Sequence, residues 1–334
     1  MKGDEVVLRF IVVGLGGTGS YLLNNLVNYL CLFRKVNHEI ILVDGDVLEK
    51  RNLLRQGFLG KDIGKNKAEA LKERFEKIVP DNLNISYYNN FINSIADLEK
   101  IAGNEEDLVV ISCVDNNMAR FRLLLAQFKM FSDSKGKRRV IFIDAGNEEW
   151  HGQVLVNVLN KGKSVPVEYD NGNFIYTGKT KGHHIVTIFD DMDEWKNSLS
   201  RGEHEISCDV ITEAAPQNIV TNMTSASGIV YMLNKVFTKG YENTRYQFNV
   251  KTGVQEEMSI GSNFNRLQDI VEYANGEGKK ELIGVKEKED VFWIQEEINN
   301  EPETSVNQPA IEITDTERYI REMELLGIDT EGLF

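Results

Sequence analysis

The heptapeptide GLGGTGS, Gly14–Ser20, restricts the possible folds of this chain more than any other stretch. It follows the apolar run LRFIVVG (8–14) and leads directly into a segment of helical periodicity. Gly14, Gly16 and Gly19 stand in GxGxxG register, with Gly17 in addition. Glycines at such a junction permit a tight turn and a close approach of backbone to ligand. The helix that follows offers free N–H groups to phosphate. Taken alone, the turn is compatible with NAD, FAD or ATP.

Further Val/Ile-rich runs follow: EIILVDG (39–45), DLVVISCVD (107–115) and RVIFIDAG (139–146). Continuous apolar runs of this kind suit strands buried on both faces of a parallel sheet. Helical patterns separate them. Residues 20–33 set Leu22, Leu26, Leu30 and Phe33 on one stripe, with Asn24, Asn25 and Asn28 largely off it, and residues 65–78 and 116–131 read similarly. The expected fold is α/β: a Rossmann-like, doubly wound, mostly parallel sheet. Residues 1–160 form its core. Residues 161–205, polar and weakly periodic, read as an insert crossing the sheet. Residues 206–250 return to the core domain, apolar and helical over 208–238. Residues 251–334 read as a polar C-terminal extension with a terminal helix from about 314 to 328.

A net charge of −14 disfavours a nucleic-acid or anionic-membrane surface, either of which calls for a basic footprint. Cys31, Cys113 and Cys208 show no CxxC spacing, so neither a disulfide framework nor a zinc site is expected. The N-terminus carries no signal-peptide pattern, and no apolar run reaches the roughly 20 residues of a membrane span. A soluble, cytoplasmic protein is expected.

Asp44 closes the second strand, 25 residues after Gly19, where an acid can hold a ribose hydroxyl. Asn52, Arg55 and Gln56 follow within a dozen residues, and Lys67 a little later. Arg55 is a fixed fork of donors and Lys67 a mobile point charge, a pair suited to a triphosphate. An NAD-dependent oxidoreductase shares the glycine turn but leaves Arg55, Lys67 and Asp115 without a role.

Together the stretches Gly14–Ser20 (GxGGxGS), Asp44–Gln56 (DxDxVxxxNLxRQ), Ile63–Ala70 (IGxxKAEA) and Asp115–Arg120 (DNxxxR) closely resemble the ThiF/MoeB/HesA family of ubiquitin-activating-type adenylyltransferases. The resemblance covers residues 8 to 160, and 206 to 238 more loosely. It implies ATP and Mg²⁺ as cofactors, and attack of a C-terminal carboxylate on the α-phosphorus. The carboxylate would belong to a ubiquitin-like or sulfur-carrier protein, or to a peptide, within a homodimer. By position, Gly14, Gly16, Gly17, Gly19, Asp44 and Asp46 fall to cofactor binding. Asn52, Arg55, Gln56 and Lys67 fall to the phosphates, and Asp115 to magnesium. An N-cap role is the plainer reading of Asp115.

Two departures accompany the resemblance. The arginine-bearing segment that usually precedes the first strand has no counterpart in the eight or so residues before it here, but ERYIREMELLG (317–327) carries Arg318 and Arg321 at matching spacing. Either could supply a phosphate-binding arginine, within one chain or across the dimer; the plainer reading is an ordinary amphipathic helix. The paired CxxC motifs of zinc-bearing relatives are also absent, so no structural zinc is expected. Cys208 sits at a junction where relatives carry a thioester-forming cysteine, with a buried structural thiol as the alternative. A conjugating enzyme downstream, or a relative that only binds nucleotide or partner without catalysis, stays open.

Overall fold

The computed structural model describes residues 7–33, 36–103, 107–178, 218–239, 243–259, 264–276, 278–279 and 282. The chain divides into two compact units, Met1–Val285 and Lys286–Phe334, of which the second lies wholly outside those residues.

Eight strands form one sheet in the order β10-β9-β6-β5-β4-β1-β2-β3. β1 (Val7–Val13), β2 (Asn37–Val43), β3 (Leu83–Tyr88), β4 (Asp107–Ser112) and β5 (Arg139–Asn147) run parallel. β6 (His151–Leu159), β9 (Asn243–Asn249) and β10 (Val254–Ser259) extend the sheet antiparallel. A separate hairpin pairs β7 (Val167–Asp170) with β8 (Asn173–Tyr176).

Side-chain alternation divides the core into two layers. Phe10, Val12, Ile40, Leu42, Val109 and Ile111 face α1 (Gly17–Leu30), α2 (Lys67–Phe75) and the helix later in the chain, Ile219–Lys239. Ile11, Val13, Ile41, Val43, Leu108 and Val110 face α3 (Ile95–Ala102), α4 (Asn117–Asp133) and the helix Phe264–Asn275. The two later helices are α5 and α6. The stripe on α1 behaves as its periodicity requires: Leu22, Leu26 and Leu30 are at most 1% exposed, while Asn24 and Asn28 face solvent. Truncating Leu26 to alanine would cost about 2–5 kcal/mol.

Strand order reverses at β1, which pairs with β2 on one side and β4 on the other. In open α/β sheets the crevice beyond the carboxyl ends at such a point is where ligands sit, because neighbouring loops diverge there. Among the described residues no helix is long and apolar enough to cross a membrane.

Candidate functional site

The glycine turn fills the crevice at the end of β1. Gly14 has φ +85°, and a Cβ on it would fall 2.8 Å from the Cys113 carbonyl oxygen of the adjacent strand end, so only glycine closes this turn. Gly16 caps α1 without a side-chain hydrogen bond, and no acid occupies the first turn. The first-turn N–H groups therefore remain open to an anion, aided by the helix dipole.

The end of β2 folds around Asp44, which is 7% exposed. Its carboxylate accepts hydrogen bonds from Leu15 N at 2.6 Å and Asp46 N at 2.8 Å, tying the two strand-end turns together. Burial raises the pKa of this carboxyl above the usual range, against the opposing pull of Lys67. Asn66 caps α2, accepting from Ala68 N and Glu69 N, while its Nδ2 donates to the carbonyls of Asp44 and Asp46. That cap delivers Lys67, the first residue of α2, into the crevice. Lys67 is buried, and its Nζ lies 2.7 Å from Asp46 Oδ2.

Arg55 and Gln56 reach the same crevice from the 3-10 turn Lys50–Leu54. Asn52, expected among the phosphate contacts, is buried within that same turn. Its Oδ1 accepts from Glu49 N in a capping box, and its carbonyl accepts from Arg55 N and Gln56 N, so these two oxygens shape the turn that presents Arg55 and Gln56. Gln56 is 4% exposed, and its Oε1 has no hydrogen-bond partner among the described residues, leaving an acceptor beside the glycine turn.

At the end of β4, Asn116 rather than Asp115 caps α4, accepting from Ala119 N at 2.7 Å. The plainer expectation for Asp115 is thereby corrected, since the neighbouring carboxamide already meets the helix N–H groups. Asp115 is exposed and makes no hydrogen bond or ion pair among the described residues. Arg120 fixes the loop by donating to Asp144 Oδ1 at 2.6 Å, to Ala145 O and to Val114 O. The thiol of Cys113 borders the crevice, and burial pushes it up to about 12 despite the nearby Arg120, so it is a poor nucleophile.

These groups enclose a cavity of about 400 Å³. Arg55, Lys67, Arg120 and Arg122 line it together with Asp44, Asp46 and Asp115, so cations outnumber acids here in a chain of net charge −14. A more open groove of about 600 Å³ shares Asp115, Arg120 and Asn147 with it and runs over β6, β9 and β10.

The ThiF family model matches residues 6–266. This chain belongs to the ThiF family. Solved structures similar to this ThiF-family chain include E. coli MccB with ATP, at 19% identity over 76% of this chain and 64% of that one (TM-score 0.47). The microcin C7 biosynthetic enzyme MccB in complex with N-formylated MccA is similar at 20% identity over 76% and 65% (TM-score 0.45). PaaA is similar at 17% identity over 76% and 64% (TM-score 0.48). The chain spans less than two thirds of the length of these proteins.

Some site residues of this ThiF-family chain were not apparent in the sequence. Asn147 Nδ2 donates to Asn222 Oδ1 on α5 at 2.7 Å, Asn222 Nδ2 donates to the Arg55 carbonyl, and Thr18 donates to Asn147 Oδ1. Gly17 leaves room for this network, because a Cβ there would run into the Asn222 side chain. Asn90–Asn93, after β3, close another side of the cavity. Cys208, Arg318 and Arg321 lie outside the described residues. The open helix terminus, the leftover Gln56 acceptor and the clustered cations fit a nucleoside triphosphate. Asp115 fits Mg²⁺, which needs one or two carboxylates when phosphates complete its shell.

Proposed function

We propose that this chain is an ATP-dependent adenylyltransferase that activates a C-terminal carboxylate of a ubiquitin-like or sulfur-carrier protein, or of a peptide. The observation that carries this reading is Lys67, a buried cation delivered by a helix start into a cavity walled by the glycine turn. Burying an ammonium is costly unless an anion compensates, and Asp46, half exposed, leaves room for a phosphate to share that role.

A carboxylate oxygen would bond to the α-phosphorus while the bond to the bridging oxygen breaks, and pyrophosphate would leave with the electron pair. The attacking carboxylate is already ionised near neutral pH, so this step asks for charge stabilisation rather than a general base. Lys67, Arg55 and the first-turn N–H groups of α1 would bind and orient the phosphates. Gln56 would accept from a nucleotide hydroxyl. Mg²⁺ held at Asp115 would neutralise phosphate charge. The groove over β6 and β9 leads to the same cavity and suits the acyl-bearing chain end.

Dimerisation, phosphate contact from Arg318 or Arg321, and capture of the acyl group on Cys208 extend the reading on sequence alone. Nucleotide-dependent melting tests its first element. ATP with Mg²⁺ should raise the midpoint and NAD should not; stabilisation by NAD alone would overturn the reading.

A further inference from the structure

We propose that Phe91 is a base-stacking wall of the nucleotide site, making the protein prefer a nucleotide over a bare polyphosphate. This inference rests on the nucleotide reading above. Phe91 is 55% exposed, yet it lines the cavity rather than an open face. The backbone beside it is tied down. Ile92 is 6% exposed in the core, and its carbonyl accepts from Arg122 Nη1 at 3.4 Å. Asn93 N and Ser94 N donate to Asp97 Oδ2 at 3.0 and 2.9 Å, in the capping box of α3. An exposed aromatic ring is therefore held out beside the cavity by two sets of contacts.

The ring lies against Gly45, directly after Asp44. A Cβ at Gly45 would fall 2.5 Å from ring Cδ2, so a side chain there would displace the ring. Glycine at 45 thus lets the Phe91 ring pack against the residue next to Asp44, and both Phe91 and Asp44 line the cavity. Exposed Asn90 and Asn93 flank it with hydrogen-bonding groups for a base edge. Every nucleobase offers a π face, and a purine offers the larger one; polyphosphate offers none.

Calorimetric binding of ATP, CTP and inorganic tripolyphosphate, each with Mg²⁺, tests this on the full chain and its Phe91→Ala, Phe91→Tyr and Gly45→Ala variants. Phe91→Ala should weaken ATP by about tenfold to a hundredfold, weaken CTP less, and leave tripolyphosphate within about twofold. Phe91→Tyr should keep ATP affinity, and Gly45→Ala should lose it in the direction of Phe91→Ala. Unchanged ATP affinity in Phe91→Ala, or an equal loss for ATP and tripolyphosphate, would overturn the stacking role. A wild-type chain that binds neither ligand would instead overturn the nucleotide reading itself.

Discussion

Lys67 Nζ lies 2.7 Å from Asp46 Oδ2, with the lysine side chain 5% exposed and the aspartate 49% exposed. The asymmetry separates stability from activity. Lys67→Met replaces a buried charge by an apolar chain of similar volume, so the midpoint should hold or rise, while the adenylation rate falls about a hundredfold. Asp46→Ala does the reverse to the fold, leaving a buried ammonium short of its partner at a cost of about 1–2 kcal/mol. Paired melting and turnover measurements on both variants check this, and a Lys67→Met variant with full activity would contradict it.

Gly19 sits in the first turn of α1, where alanine would ordinarily be favoured by up to about 1 kcal/mol. Here an added Cβ would clash with the Gly14 carbonyl oxygen, which is backbone and cannot swing away. Gly19→Ala should therefore lower stability by about 1–3 kcal/mol, as an overpacked site does. Denaturant titration reads the sign directly.

Asp115 is exposed and without hydrogen bonds or ion pairs among the described residues, so Asp115→Asn should leave stability within about 0.5 kcal/mol of wild type. Its effect should appear in the magnesium titration of the rate, as a lower plateau or a higher half-maximal concentration. A stability loss without a change in magnesium dependence would refute the metal role.

His38 is 4% exposed, packed near Phe10 and Phe33, with Nε2 3.3 Å from the Phe33 carbonyl oxygen. Burial lowers its pKa below the ordinary 6.5, outweighing that backbone hydrogen bond. The unfolded chain then binds the proton more readily than the folded one. The stability that His38 contributes is complete above pH 6.5 and is lost as pH falls below it towards the lowered folded value. Asp44 has the opposite sign. Its raised pKa favours the protonated folded form, so its contribution is present at low pH and lost as pH rises through the folded value. Between pH 7 and pH 5, His38→Leu should show a shallower fall in midpoint than wild type.

The central strands were legible in the sequence because burial on both faces removes polar interruptions, as in IILV of β2 and LVVI of β4. β3 escaped notice because LNISYY is an edge strand with Asn84 and Tyr87 exposed, so its apolar signal is half as dense. The hairpin β7–β8 was hidden within polar sequence for a similar reason. At the candidate site, the sequence placed Gly14 and Asp44 at strand ends, which is where they lie after β1 and β2, while Lys67 opens α2. Asn222 was not legible, because it meets Asn147 across 75 residues and a carboxamide in a helix carries no mark of what it will touch. Asn52 shows the other limit: the family resemblance assigned it to the phosphates, and only the structure reveals that its Oδ1 also closes the capping box of its own turn.

The most direct measurement is ATP–pyrophosphate exchange with Mg²⁺ across a panel of ubiquitin-like carriers and peptides with free C-terminal carboxylates, with Lys67→Met as control. Exchange that requires one class of carboxylate and disappears in Lys67→Met is the predicted result. Absence of exchange with every acceptor, in a chain that still binds ATP, would contradict carboxylate adenylation.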